Sequence, residues 1–345
     1  MTVPGRQRPT RVTLADVAAL ARVDPSVVSR VISGDERLVI KDETRVRVVA
    51  AIKELGYHPN AAARSLRTAQ SGTFGLLIPD FANPIYAEII KGAEQAADEH
   101  DALLLTGTAL EDRPERYVRM LASGRVEGLL LASDRIPPEA IEAMIATGRA
   151  VVSVNQRIPG VRRMILADDE RASRIAVRHL IELGHRRIAH IRGPAKSDTA
   201  RRRLNGYRRA LRTGGLRPDA TLVVGNGYTS EAGAEAMREL LAMPERPTAV
   251  LVANVAAAIG ALTAARSAGV KVPDELSVVA IHDIALAANL APALTTVRMP
   301  LAEMGRAGIL ALLDEDPGAE VKKVVRDTTE LIVRDSTAPP AAPPK

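Results

Sequence analysis

The chain has 345 residues, enough for two or three folding units with a sizeable core, and its 46% hydrophobic and 26% charged residues mark it as globular. It has no cysteine, which excludes disulfides, thiolate metal sites and a cysteine nucleophile, and only 2% aromatic residues with no tryptophan, so the core must be aliphatic. The net charge of +6 is unevenly placed: residues 1 to 70 hold 12 Lys or Arg against 7 Asp or Glu, and the remainder 35 against 34, so nearly all the excess lies where a polyanion partner would need it, at the N-terminal end.

Residues 1 to 11 are rich in Pro, Arg and Thr and read as a disordered basic tail. They lack the apolar core of a signal peptide, and no later apolar run is long enough to span a bilayer, so a cytoplasmic protein without membrane contact is expected. From Val12 to Ile32 two short apolar-periodic segments, Leu14 to Ala21 and Pro25 to Ile32, are joined by Arg22-Val23-Asp24, the spacing of a helix-turn-helix. Thr13 with Asp16 three positions on predicts a capping box; Asp24 followed by Pro25 predicts a second capped start. Val17, Ala18, Ala21, Val28, Val31 and Ile32 can face inward, leaving Pro25, Ser26, Ser29 and Arg30 outward. A small helical hairpin with a solvated polar face is the alternative on this stretch alone. Gly34 can cap the second helix in the left-handed conformation, and a third helix is predicted from Asp42 to Leu55, with Val48, Val49, Ile52 and Leu55 inward and Gly56 ending it. Residues 12–58 thus make an all-α head. After Pro59, Asn60 can cap a short Ala-rich helix to about Arg67 that has little but Leu66 to bury, so it should fold only against a partner; residues 59–72 read as this hinge helix and a linker.

From Thr73 strands and helices alternate. Strands are predicted at Phe74 to Pro79, Ala102 to Thr106, Gly128 to Ala132, Ala150 to Val154, Arg187 to Ile191, Thr221 to Val224, Ala249 to Ala253 and Ser277 to Ile281. Helical patterns between them include Pro84 to His100, Glu170 to Leu183, Arg203 to Arg212, Ser230 to Leu241 and Val255 to Ala268. This alternation predicts parallel sheets with helices on both faces, and the number of strands favours two sheets flanking a cleft. Ligands in such folds sit beyond the carboxyl ends of the strands, where Asp80 to Ile85, Asn155 to Arg157, Asn254 to Val255 and His282 to Asp283 would gather. The Pro-rich end, from Ser336 through the tail of residues 337–345, should be extended and disordered.

Sequence marks of enzymes are missing: no GxGxxG after the first strand, no GxxxxGK[ST], no GxSxG and no HExxH. His179, His185 and His190 are not at ligand spacing, so no metal and no cofactor is expected, and Asp168-Asp169-Glu170 reads as a helix start rather than a catalytic carboxylate pair.

From about Val12 to Ala338 the chain resembles the LacI/GalR (lactose-repressor and galactose-repressor) family of bacterial transcription regulators. The resemblance is carried in order by VTLADVAALARV with VVSRVISG, ELGYHPNAAARSLRT, IPDFANPIYAEI, HLIELGHRRIAHIRGP, TARRRLNGYRRAL, RPTAVLVAN, VPDELSVVAI and PALTTVR. It implies a helix-turn-helix head, a hinge helix and a periplasmic-binding-protein-like effector domain over residues 73–336. Its N-subdomain would take about 73–165 and 297–316, and its C-subdomain about 166–296 and 317–336. It further implies a non-enzymatic homodimer on a pseudo-palindromic double-stranded operator, controlled by a small-molecule effector in the cleft; a solute-binding protein without DNA function is the alternative. By motif, Pro25, Ser26 and Arg30 fall at base-reading positions, Thr13, Ser29, Tyr57 and Asn60 at backbone contacts, and Ala63 and Leu66 where hinge helices enter the minor groove. Arg203 matches an arginine that clamps ligand oxygens, with Phe81, Ile85, Tyr86 and Asn254 around the cleft; Phe81 and Tyr86 read equally as packing residues, and Arg203 as part of a solvated run. Three departures stand out. Arg22 replaces the usual turn glycine, which requires a phosphate contact to offset a left-handed backbone costing about 1 kcal/mol. Val27 replaces a common Thr. Asn155, Val255 and His282 stand where sugar-responsive members have carboxylates, which points to a less hydroxylated or anionic effector with Arg203 and His282 supplying positive charge.

Overall fold

The computed structural model describes residues 12–35, 37–57, 71–109, 113–314, 316 and 320–341. They form two compact units that divide between Ser71 and Gly72. The expected N-terminal tail and the hinge helix with Asn60, Ala63 and Leu66 lie outside the described residues.

The first unit is built from α1 (Leu14–Ala21), α2 (Pro25–Ile32) and α3 (Asp42–Leu55). The α1 capping box is complete: Thr13 N donates to Asp16 Oδ2 at 2.8 Å and Asp16 N to Thr13 Oγ1 at 3.3 Å. Asp24 Oδ1 accepts from Ser26 N at 2.8 Å to start α2. Between them Arg22 adopts the left-handed conformation (φ 52°, ψ 52°) that the missing glycine would have taken without strain. Val17, Ala18, Ala21, Val28, Val48 and Ala51 form the core, with Val31, Ile32, Ile52 and Leu55 packed around it. Val49, expected inward, is 53% exposed. It sits one step round the helix from Val48, and Ala51 takes the inward place instead.

The second unit contains two six-stranded sheets. Its first lobe runs β1 (Thr73–Ile78), α4 (Ile85–Asp98), β2 (Leu103–Thr108), α5 (Glu115–Ala122), β3 (Gly128–Leu131), α6 (Pro138–Ala146), β4 (Ala150–Val154) and β5 (Arg163–Ala167). The second lobe runs α7 (Asp169–Glu182), β6 (Ile188–Ile191), α8 (Asp198–Thr213), β7 (Val223–Val224), α9 (Ser230–Leu241), β8 (Ala249–Val252), α10 (Val255–Ser267), β9 (Ser277–Ile281), α11 (Ala285–Ala288) and β10 (Thr295–Arg298). The chain then returns to the first lobe for α12 (Leu301–Leu313) and β11 (Val321–Val325), and crosses back for β12 (Glu330–Ile332). The sheet orders are β11-β5-β4-β3-β1-β2 and β12-β10-β9-β8-β6-β7, and among the described residues only the β10–β12 pair is antiparallel. Inner strands such as β3, β4, β8 and β9 are buried along their whole length, as parallel strands covered on both faces must be.

All eight expected strands are present. β5, β10, β11 and β12 were not anticipated, and β11 corrects the subdomain boundary: the segment 317–336 does not belong wholly to the second lobe, because Val321–Val325 pairs in parallel with β5. Nothing local in VKKVV distinguishes one sheet edge from another. The C-terminal segment is also corrected. It is extended, but not disordered from Ser336: Ser336 Oγ donates to Val278 O at 2.6 Å, Ala338 N donates to Ser277 Oγ at 3.0 Å, and His179 Nε2 lies 3.0 Å from Thr337 Oγ1.

Helices meet backbone to backbone in both lobes. A Cβ added at Gly92 of α4 would collide with the carbonyl of Ala302 on α12, and one at Gly305 with that of Ile89. Gly233 on α9 and Gly260 on α10 stand in the same relation to Ala257 and Ser230. Side chains there would force the helices apart.

His190 on β6 is wholly buried, stacked on Tyr207 with ring centroids 5.2 Å apart, and its Nδ1 lies 3.0 Å from Leu251 O. Burial, above all, pulls it down from 6.5 to about 4. Between those values the unfolded chain binds the extra proton and the folded one does not, so stability falls as the pH drops. His190→Phe keeps a stacking ring and removes this titration. Urea unfolding at pH 7.5 and pH 5 should show wild type losing about 2 kcal/mol more than the variant; equal losses would assign the acid sensitivity elsewhere.

Candidate functional site

On the head, Pro25, Ser26 and Arg30 are exposed along α2 and Ser29 is half-buried. Arg22 is exposed at the turn. Arg47 Nε, from α3, donates to Ala21 O at 3.3 Å and ties off the end of α1. Thr13 Oγ1 donates to Asp16 Oδ2 at 2.7 Å, and Tyr57 is half-buried against the head core. Arg30 does not stand free: its Nε donates to Asp35 Oδ2 at 2.8 Å.

In the second unit the carboxyl ends of the strands from both lobes carry a buried charge cluster that sequence inspection only half anticipated. Asp169, at the first position of α7, is wholly buried. Its Oδ1 accepts from Arg203 Nε at 2.7 Å and its Oδ2 from Arg202 Nη1. Arg202 also donates to Asp198 Oδ2 at 2.9 Å, to Ala167 O at 2.8 Å and, across the lobes, to Asn155 O at 2.7 Å. Burial works against its charge, but Asp169 and Asp198 outweigh that and hold its pKa above the ordinary value. Arg203 donates to Ala253 O at 2.5 Å, and its Nη2 lies 3.0 Å from His282 Nε2. Asp198 is shared further: Arg201 Nη2 donates to its Oδ1 at 2.7 Å and Arg157 Nη1 lies 4.0 Å away, so two carboxylates serve four guanidiniums.

Asn155 and His282 occupy equivalent places in the two lobes. Each follows the last residue of a central strand, β4 or β9, each is buried, and each has a left-handed backbone (φ 70° and φ 75°). Burial, reinforced by Arg203, holds His282 well below its ordinary value, so it is neutral. The expectation that Arg203 and His282 supply positive charge to an anionic effector is therefore corrected: Arg203 is neutralised by Asp169, and His282 accepts a bond from Arg203 instead of carrying a proton on Nε2.

The remaining predicted cleft residues divide. Tyr86 is buried at the start of α4, with its hydroxyl 3.5 Å from Ala132 O, and burial raises its phenol above the ordinary value. Ile85 beside it is core. Asn254 caps α10 by accepting from Ala257 N at 2.9 Å and donates to Tyr228 O at 3.0 Å. Val255 has no exposed surface and packs in the second lobe's core. Phe81 is 56% exposed and stands with Leu77, Leu105, Thr106, Tyr117 and Met120 along a groove beside β2. Residues missed from the sequence are Asp169, Asp198, Arg202 and Tyr228, whereas Gln156 lies in the expected cleft loop Asn155 to Arg157. Tyr228 Oη lies 2.7 Å from Thr199 Oγ1, and Arg203 lies 6.0 Å from its ring centre. Among the described residues Asn155 Oδ1, Gln156 Oε1 and His282 Nδ1 are buried without a hydrogen-bond partner. No group of His, Cys, Asp or Glu among them could hold a metal ion. Asp169→Asn would leave Arg202 and Arg203 short of a buried counter-charge and should cost about 3–5 kcal/mol. Chemical denaturation of the second unit measures this, and a loss below about 1 kcal/mol would show the cluster to be dispensable.

Comparisons with known proteins agree with this geometry. Residues 13–60 match the model of the bacterial regulatory proteins, lacI family, and residues 177–337 match that of a periplasmic binding protein-like domain. The HTH-type transcriptional repressor CytR of Escherichia coli (strain K12) is 34% identical over 336 residues, covering 96% of this chain and 98% of the relative. The ribose operon repressor of the same organism is 38% identical over 306 residues, covering 87% and 92%. The crystal structure of the lac repressor dimer bound to operator and the anti-inducer ONPF superposes with a TM-score of 0.82 at 27% identity, covering 95% of this chain and 100% of that one. A capped helix-turn-helix and a two-lobed α/β unit, matched along nearly their whole length by these repressors, establish that the chain belongs to the LacI family of bacterial regulatory proteins.

Proposed function

We propose that the protein is a cytoplasmic transcriptional repressor that binds a pseudo-palindromic operator as a homodimer and is controlled by a small molecule in the cleft of its second unit. The observation that carries this is α2: a capped helix with Pro25, Ser26 and Arg30 exposed on one face, in a head that carries the chain's excess positive charge. In this role Pro25, Ser26 and Arg30 meet base edges in the major groove, while Thr13, Arg22, Ser29 and Tyr57 lie toward the phosphates. Asn60, Ala63 and Leu66 complete the interface from the minor groove, with Leu66 as the wedge. No helix among the described residues is long and apolar enough to cross a membrane.

A second copy fits the outer edge of the first sheet. β2 is its edge strand, and Leu103 and Leu105 are 72% and 49% exposed there, beside the groove where Phe81 stands. An apolar edge strand of this kind is a liability unless another chain covers it. The effector itself should be held chiefly by hydrogen bonds and not by a free arginine, because Arg202 and Arg203 at the cleft are already engaged with Asp169 and Asp198. Asn155, Gln156 and His282 each retain one polar atom without a partner with which to receive it.

Selecting the operator from fragmented genomic DNA and then screening neutral and anionic metabolites for a change in its fluorescence anisotropy tests the whole assignment. Affinity should fall steeply with salt through counterion release, and a flat dependence would overturn DNA binding as the function. Arg30→Ala should lose about 1–3 kcal/mol on the operator and little on random DNA. Leu105→Glu should shift sedimentation toward the monomer and weaken operator binding with it; an unchanged dimer would move the interface elsewhere.

A further inference from the structure

The contact between Arg30 and Asp35 is built so that the carboxylate is fixed independently of the arginine it holds. α2 ends at Ile32, and Gly34 turns the chain back with φ 65°. Asp35 N then donates to the carbonyl of Arg30 itself at 3.1 Å, which brings the two residues side by side. Asp35 Oδ1 accepts from Arg37 N at 2.9 Å, closing a small turn and setting the carboxylate's orientation. Only Oδ2 is left, and Arg30 Nε donates to it at 2.8 Å. Hydrogen bonds from Arg30 first, and from Arg37 N second, hold the Asp35 carboxyl below the usual carboxylate range, so it is ionised wherever the protein works.

This fixes which donors Arg30 can offer. With Nε occupied, the guanidinium plane is set and its far edge, Nη1 and Nη2, makes no hydrogen bond among the described residues. Two parallel N–H groups match two adjacent acceptors. Guanine presents these in the major groove as N7 and O6, whereas adenine pairs an acceptor with a donor there, and thymine and cytosine present a single polar group each. Arg30 without its partner would be a long flexible cation able to reach a phosphate as well as a base. The carboxylate also adds negative charge beside the DNA, which weakens any complex in which the arginine does not find its guanine.

We propose that Asp35 is a positioning residue that holds Arg30 end-on and so converts a general cation contact into selection of one guanine in each operator half-site. This rests on α2 being the base-reading helix. The pair is exposed, with 44% and 31% of the two side chains accessible, so it adds little to folding and its removal should leave the head intact.

The test compares full-length wild type, Arg30→Ala, Asp35→Ala and Asp35→Asn by anisotropy on the selected operator, on operators carrying each single base-pair change, and on random DNA. Wild type should discriminate about tenfold or more against replacing one guanine, and Arg30→Ala should erase that preference. Asp35→Ala and Asp35→Asn should cut the same preference to about threefold or less, leave the other positions unchanged, and bind random DNA more tightly than wild type. Asn retains an acceptor for Arg37 N, so it separates the turn from the grip on Arg30. Full discrimination in both Asp35 variants would overturn the proposal, as would an equal loss at every position, which marks a purely structural role. If Arg30→Ala preserved every preference of wild type, base reading by Arg30 would itself fall, a result distinct from either.

Discussion

A wholly buried carboxylate, that of Asp169, organises the second unit. It cannot be left unpaired, because an isolated charge in the protein interior is unfavourable by several kcal/mol in order of magnitude. Its two oxygens therefore draw Arg202 and Arg203 from α8 onto the first turn of α7, and the arginines' remaining donors determine what else must come close. Arg202 reaches the end of β4 in the first lobe, and Arg203 reaches the end of β8 and His282 after β9. One carboxylate thereby sets the register of two helices, the ends of β4, β5, β8 and β9, and the approach of one lobe to the other. The polar floor of the cleft follows from this closure.

The lobes repeat a construction at this floor. Asn155 N donates to Ile165 O at 2.8 Å, and His282 N donates to Val297 O at 2.9 Å, so each left-handed residue is held by the neighbouring strand at the point where its own strand ends. A left-handed conformation costs a residue with a Cβ roughly 1–2 kcal/mol, and it persists only where such surroundings impose it. Both sites lie where a ligand would meet the fold, and both keep a side-chain atom without a partner. The glycine contacts between paired helices repeat in the same way, between α4 and α12 in one lobe and between α9 and α10 in the other.

Where structure depends on neighbours in the chain, the sequence was readable. The limits of α1, α2 and α3 follow from Thr13, Asp24 and Gly56, because caps and apolar periodicity act within a turn or two. The central strands follow from their apolar runs. Where structure depends on a distant partner, it was not. Asp168 is indeed a cap, accepting from Arg171 N at 3.0 Å, but nothing beside Asp169 reveals that it will meet arginines more than thirty positions on. For the same reason Arg203 was recognisable as a site residue, but the bond it makes with His282 was not. β11 shows the limit for strands: its residues fix an extended edge, and only the path of α12 decides which sheet receives it.

The scarcity of aromatic residues has an optical consequence. With no tryptophan and five tyrosines, ultraviolet emission from this protein comes from tyrosine alone. Tyr57 belongs to the head, whereas Tyr86 and Tyr228 both stand at the cleft, where burial first and the neighbouring Tyr228 second raise the Tyr86 phenol. Tyr228 is further bound through its hydroxyl to Thr199 and approached by Arg203. Any molecule that enters the cleft or shifts the Arg203 cluster changes the surroundings of two of the chain's few fluorophores. The unmodified protein therefore carries its own spectroscopic reporter of cleft occupancy, free of the tryptophan background that masks tyrosine in most proteins.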